Sequence, residues 1–259
     1  MFACLITLPL FVFAQPRERK LVWSDEFNYI GQPDSSKWTA DIGGHGFGNN
    51  ESQFYTTGRL ENARVENGVL VIEARREKWP ADEVKQNDYT SARLVTKNKG
   101  DWQYGRIDVR AKLPSGRGTW PAIWMLASVP GYNWPDDGEI DIMEHVGYNP
   151  AYVHASVHCT KYYHKINTQK TDTTIVPDFS TAFHDYSLEW TKEYIKVLVD
   201  GKEFFTFNNE HSGYDGWPFD NRFHLILNLA VGGFWGGAKG IDENIWPRRM
   251  EVDYVRVYQ

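Results

Sequence analysis

The chain has 259 residues, with 28 Lys and Arg against 34 Asp and Glu, for a formal net charge of -6. This mild acidity removes the electrostatic reason to expect nucleic acid or an anionic membrane as a partner. A content of 24% charged and 41% hydrophobic residues is globular rather than disordered. The 15% aromatic share (11 Trp, 14 Tyr and 14 Phe) suits half-buried strands and flat apolar ligands alike.

In chain order, the first feature is the apolar run from Phe2 to Ala14, which is too short to span a bilayer as a helix. It reads as the apolar region of an export signal cut after Ala14, so that 1–14 is a signal peptide and the destination is secreted or periplasmic. With Cys4 removed, Cys159 stands alone and no intrachain disulfide is expected. From Gln15 to Gln259 neither a linker nor a repeat breaks the chain, which reads as one domain.

The hydrophobic period is two almost throughout. Strands are predicted at Val69–Ala74, Arg106–Leu113, Tyr186–Trp190, Phe223–Leu229 and Val252–Tyr258. Asp200-Gly201, between Tyr194–Val199 and Lys202–Phe207, is a hairpin signal because both residues tolerate positive φ. Long segments of 3.6 period are absent. Many short strands separated by turn signals predict an all-β fold, a sandwich or jelly roll. Five tryptophans, Trp79, Trp120, Trp134, Trp217 and Trp246, precede proline, which pushes each into an extended conformation. Loop packing accounts for at least three of them.

The segment Glu139-Ile140-Asp141-Ile142-Met143-Glu144 is the richest in chemistry. In a strand, Glu139 and Asp141 share one face and the isoleucines the other. Regular alternation then turns Glu144 into the apolar layer, at a cost of several kcal/mol or more for an ionised group. One extra residue near Ile142-Met143, a β-bulge, returns Glu144 to the acidic face. Three carboxylates on one face cannot all ionise cheaply, so some pKa must rise. Double-displacement glycoside hydrolysis needs such a set: a nucleophile, and a second group that is protonated at rest. A metal site is the weaker reading, because a strand presents carboxylates in a row rather than as a cage.

At this point the chain resembles glycoside hydrolase family 16, in the laminarinase (endo-1,3-β-glucanase) branch. Besides the acids, the resemblance is carried by Gly48–Tyr55, Tyr89–Leu94, Tyr104–Arg106, Trp120–Leu126, Asn228–Gly233 and Val252–Tyr258. It covers nearly everything after Leu21. It implies a β-jelly roll of two antiparallel sheets with a concave substrate cleft, and a catalytic domain over 15–259. Glu139 is then the nucleophile, Glu144 the acid/base and Asp141 the assisting carboxylate. Trp120 and Trp124 become cleft residues, with Asn50, Glu51, Arg93, His158 and Asn228 as candidates for bonding sugar hydroxyls. Trp235 falls in a Gly-rich stretch, Gly232 to Gly240, read as a mobile rim loop. The family often carries a structural calcium, for which Glu26, the Gly68 carbonyl and Asp253 are the positional candidates; no cofactor is needed for the chemistry. The implied partner is a β-glucan, met by a monomer. Mixed-linkage glucan or a galactan as substrate, and a non-catalytic glucan-binding protein, are the rival readings.

Overall fold

The coordinates, a computed structural model, describe residues 19–79 and 87–259; the expected signal peptide at 1–14, and Cys4 with it, lies outside them. The strands in chain order are β1 (Leu21–Asp25), β2 (Thr39–Ala40), β3 (Gln53–Tyr55), β4 (Ala63–Glu66), β5 (Val69–Trp79), β6 (Asn87–Ser91), β7 (Arg93–Val95), β8 (Asp101–Trp102) and β9 (Gly105–Lys112). They continue with β10 (Thr119–Ala127), β11 (Glu139–Glu144), β12 (Tyr152–His158), β13 (Lys170–Ile175), β14 (His184–Trp190), β15 (Tyr194–Val199), β16 (Lys202–Asn208), β17 (Phe223–Val231) and β18 (Arg248–Tyr258). The one helical element among the described residues is a short 3-10 turn, His164–Ile166. No helix there is long and apolar enough to cross a membrane.

These strands form two sheets packed face to face, the jelly roll expected. One runs β16-β15-β14-β9-β18-β5-β6-β3, with β1 on β18 and β4 on β5. The other runs β13-β12-β11-β10-β17-β7-β2, with β8 on β17. Pairing is antiparallel except at one edge, where β3 runs parallel to β6. The predicted hairpin joins β15 and β16, with Asp200 at φ 50 and Gly201 at φ 75.

Period-two patterning explains how the second sheet carries both a core and a cleft. On β10, Ile123, Met125 and Ala127 are buried in the core, while the alternate residues Trp120, Ala122, Trp124 and Leu126 line a cavity. On β12, Val153, Ala155 and Val157 are core and His154, Ser156 and His158 line the cavity. On β17, Leu225, Leu227, Leu229 and Val231 are core, leaving Asn228 and Ala230 to the cavity. The burial of one face holds the opposite face in register, because a slip of one residue would exchange them.

Candidate active site

The concave face forms a cavity of about 980 Å³, and β11 supplies its acids. Across β10, Met143 pairs with Ile123 and Asp141 with Trp124, so two steps on β11 oppose one step on β10. Across β12, Glu144 pairs with His154 and Asp141 with Ser156, three steps against two. This is the predicted β-bulge at Ile142-Met143. Ile140, Ile142 and Met143 are all fully buried in the core, and Glu139, Asp141 and Glu144 all line the cavity.

Each acid has distinct partners. Glu139 accepts the indole N–H of Trp134 at Oε2 (2.8 Å). His158 Nε2 lies 3.8 Å from Glu139 Oε1 and 3.4 Å from Asp141 Oδ2. Glu144 accepts the indole N–H of Trp120 at Oε1 (3.0 Å). Burial, and after it the Glu139 charge, push the Glu144 carboxyl up to about 7. Burial and the Asp141 charge raise Glu139, and burial raises Asp141. Asp141 is only 2% exposed, and its Oδ2 accepts no hydrogen bond of good geometry, His158 Nε2 lying at 3.4 Å. We place the proton of the Glu139–Asp141 pair on Asp141: it is the more deeply buried of the two, whereas Glu139 already receives an N–H that favours its charged form.

Glu139, Asp141 and His158 offer ligand-type atoms within 4.8 Å of one another. A hard cation wants six or more oxygens, and this cluster supplies two carboxylates and an imidazole with an indole already on Glu139. A proton shared between the acids accounts for its geometry. Of the positional calcium candidates, Glu26 and Asp253 have partners of their own. Arg256 holds Glu26 through one guanidinium edge, Nε and Nη2 (3.0 and 2.8 Å), Arg110 lies 3.2 Å from Asp253, and Gly68 forms the tight turn between β4 and β5.

The expected cleft residues sort into three kinds. Trp120, Trp124, Trp235, Arg93 and His158 line the cavity; Trp235 packs edge-on against Trp120 (5.5 Å between centroids) and His154 (5.0 Å). Glu51 and Asn228 also border it, but their polar atoms are engaged inside the protein. Glu51 accepts from Asn49, Gln53 and Tyr55, and Asn228 joins Trp124 to Tyr55. Asn50 is a correction. It takes positive φ (54) in the turn closed by Asn49 N and Glu51 N on Gly46 O. That turn sends Asn50 to a neighbouring cavity with Ser52 and Arg76 and leaves Asn49 on the cleft.

Sequence reasoning passed over Trp134, which holds Glu139, along with Phe47, Tyr132, His164 and Phe234, all of them cavity residues. Phe234 is 73% exposed on the rim. The Trp-Pro pattern was the available signal for Trp134. Two of its five members meet the acids; Trp79, Trp217 and Trp246 pack on Phe54, Phe207 and Tyr89. The stretch Gly232–Gly240 is not a free loop. Successive turns stitch it together, with Gly237 N on Gly233 O, Ala238 N on Trp235 O and Gly240 N on Gly237 O, and Phe234 N bonds Asn49 O.

Comparison with known proteins agrees with this geometry. Residues 50–256 match glycosyl hydrolases family 16. A beta-glucanase of Rhodothermus marinus is 54% identical over 93% of this chain and 85% of its own length. The X-ray structure of the laminarinase from Rhodothermus marinus superposes with a TM-score of 0.90 at 53% identity, covering 93% of this chain and 98% of that one. A crystal structure described as a non-specific endo-beta-1,3(4)-glucanase, holding 1,3-beta-D-cellobiosyl-glucose at its active site, gives a TM-score of 0.91 at 50% identity, covering 95% and 96% of the two chains.

Proposed function

The chain belongs to glycosyl hydrolases family 16, and on that footing we propose that it is a retaining endo-1,3-β-glucanase acting on laminarin-type β-glucans. The observation that carries the proposal is the β11 bulge, which sets Glu139 and Glu144 on one wall of an aromatic-lined cleft. In the first step Glu144, protonated at rest, gives its proton to the glycosidic oxygen. The Glu139 carboxylate attacks the anomeric carbon from the opposite side as the C–O bond breaks. Glu144, now ionised, takes a proton from water, and that water opens the glycosyl–Glu139 ester. Two inversions leave the configuration unchanged. Trp134 and His158 steady the Glu139 charge between turnovers, and Asp141 carries the proton that three crowded carboxyls cannot all release.

The experiment is hydrolysis of laminarin followed by proton NMR. The first anomer released is expected to be β, and an initial α anomer overturns the mechanism. A second reading, a wider β-1,3(4) range, is favoured by the likeness to a non-specific endo-beta-1,3(4)-glucanase. Reducing-sugar assays on laminarin, lichenan, agarose and carrageenan separate these cases. Retention of laminarin without release of oligosaccharide would favour a binding protein. We also read 1–14 as an export leader; N-terminal sequencing of exported protein is expected to begin at Gln15.

A further inference from the structure

Four polar side chains run in a line from the cleft surface into the protein. Trp124 Nε1 donates to Asn228 Oδ1 (2.7 Å), Asn228 Nδ2 donates to Tyr55 Oη (3.1 Å), and Tyr55 Oη donates to Glu51 Oε2 (3.1 Å). The direction of donation follows from the last member. Gln53 spends its Oε1 on Val231 N, so its Nε2 is the group that donates to Glu51 Oε2 and marks that oxygen as an acceptor; Tyr55 therefore gives its one proton to the same oxygen. The Tyr55 oxygen is then left to accept from an amide N–H, and Asn228 must turn its carbonyl oxygen toward the indole. The inner end is anchored. Gln53 Nε2 (2.6 Å) and Asn49 Nδ2 (3.4 Å) also donate to Glu51, and Gln53 Oε1 accepts from Val231 N (2.7 Å). Glu51 is 5% exposed and Tyr55 fully buried.

At the outer end, Trp124 pairs across the ladder with Asp141, so its ring stands beside the acids. The Arg93 guanidinium stacks on that ring at 4.7 Å and is itself paired with Asp41 at 2.9 Å. Stacking fixes the tilt of a ring but tolerates rotation in its own plane; a hydrogen bond at the indole nitrogen removes that freedom.

We propose that Glu51 is a positioning residue: through Tyr55 and Asn228 it sets the orientation of the Trp124 indole, and with it the seat of the sugar beside the scissile bond. The sugar clause rests on the glucanase reading; the indole clause does not. Tyr55→Phe deletes only the oxygen in the middle of the line, where no substrate reaches. It is expected to raise KM for laminarin about five- to tenfold, the size of one lost hydrogen bond, with kcat within about twofold. Glu51→Leu is expected to match Tyr55→Phe, whereas Glu51→Gln, which keeps an acceptor for the phenol, recovers most of the loss. In a Trp124→Phe background, Tyr55→Phe is expected to change KM by less than about twofold. An undiminished effect there overturns the proposal, as does a loss in Glu51→Gln that Tyr55→Phe does not share, which would mark a direct sugar contact. Fluorescence supplies a readout free of substrate. The Trp124 contribution, taken as the difference between each protein and its Trp124→Phe counterpart, is expected to be more readily quenched by acrylamide in Tyr55→Phe, and unchanged quenching overturns the relay. Should the wild type cut no β-1,3-glucan, the glucanase reading fails while quenching still decides the relay.

Discussion

Removing the indole N–H from Glu144 is the sharpest test of how the acid/base is tuned. In Trp120→Phe the ring that packs on Trp235 is largely kept, but the 3.0 Å bond to Glu144 Oε1 is lost. Hydrogen bonds to a charged acceptor contribute about 1.5–3 kcal/mol, and one pKa unit corresponds to about 1.36 kcal/mol. The bond favours the ionised carboxylate, so its loss raises a pKa that burial and the Glu139 charge already hold at about 7, by about one to two units. Because kcat/KM reports groups of the free enzyme, the basic limb of its pH profile on laminarin is expected to move to higher pH by that amount. Trp134→Phe, which strips the donor from Glu139, is expected instead to move the acidic limb upward, since turnover needs Glu139 ionised. A basic limb that stays in place or moves toward acid in Trp120→Phe refutes the assignment of the resting proton to Glu144.

Three further outcomes follow from the same geometry. Glu139→Gln is expected to lower turnover by several orders of magnitude and to alter the pH dependence of stability. Folding raises the carboxyls of Glu139, Asp141 and Glu144, so the native state holds protons that the unfolded chain releases. Stability is then full in the acid range and falls as pH climbs through about 7 and about 8; by calorimetry the variant is expected to lose less Tm over that climb than the wild type. Deleting Ile142 removes the extra residue of the bulge and leaves Glu139-Ile140-Asp141-Met143-Glu144 in strict alternation, which keeps all three acids on the cleft face. The variant is expected to fold and to retain measurable hydrolysis of laminarin, whereas a deletion that unfolds in low denaturant, as burial of an ionised Glu144 would cause, refutes the bulge as the device that returns Glu144 to the cleft. Gly147→Ala places a Cβ against the Gly116 carbonyl oxygen and Thr119 Oγ1. Overpacking of this kind costs about 1–3 kcal/mol, and the midpoint of urea unfolding is expected to fall accordingly.

Much of this molecule is legible in its sequence because the interior of a sandwich imposes a period of two. That period places β5, β9, β14, β17 and β18, and it makes Glu144 an anomaly whose cheapest resolution is the bulge observed. What escaped are matters of local backbone and long-range contact. Asn49 and Asn50 are chemically identical neighbours, and only the positive φ at Asn50 decides which faces the cleft. Glu51 reads either as a sugar ligand or as a structural acid beside the cleft, and only the enclosure by Gln53, Tyr55 and Asn49 decides for the second. Trp134 carries the same Trp-Pro signature as Trp217, and only the fold sets one against Glu139 and the other against Phe207. Glu26 and Asp253 pair with Arg256 and Arg110, partners that nothing in the local sequence announces.

The backbone stitch between the two rim segments has a practical consequence. Phe234 N bonds Asn49 O, Ser52 N bonds Val231 O, and Glu51 bridges Gly232, so the 46–52 turn and the 231–240 turns share one seam. An insertion on either side would reach the other through that seam, and the relay from Glu51 begins at the same place. Engineering the mouth of the cleft by exchange with relatives therefore calls for swapping both segments together, as a single cassette from a single donor.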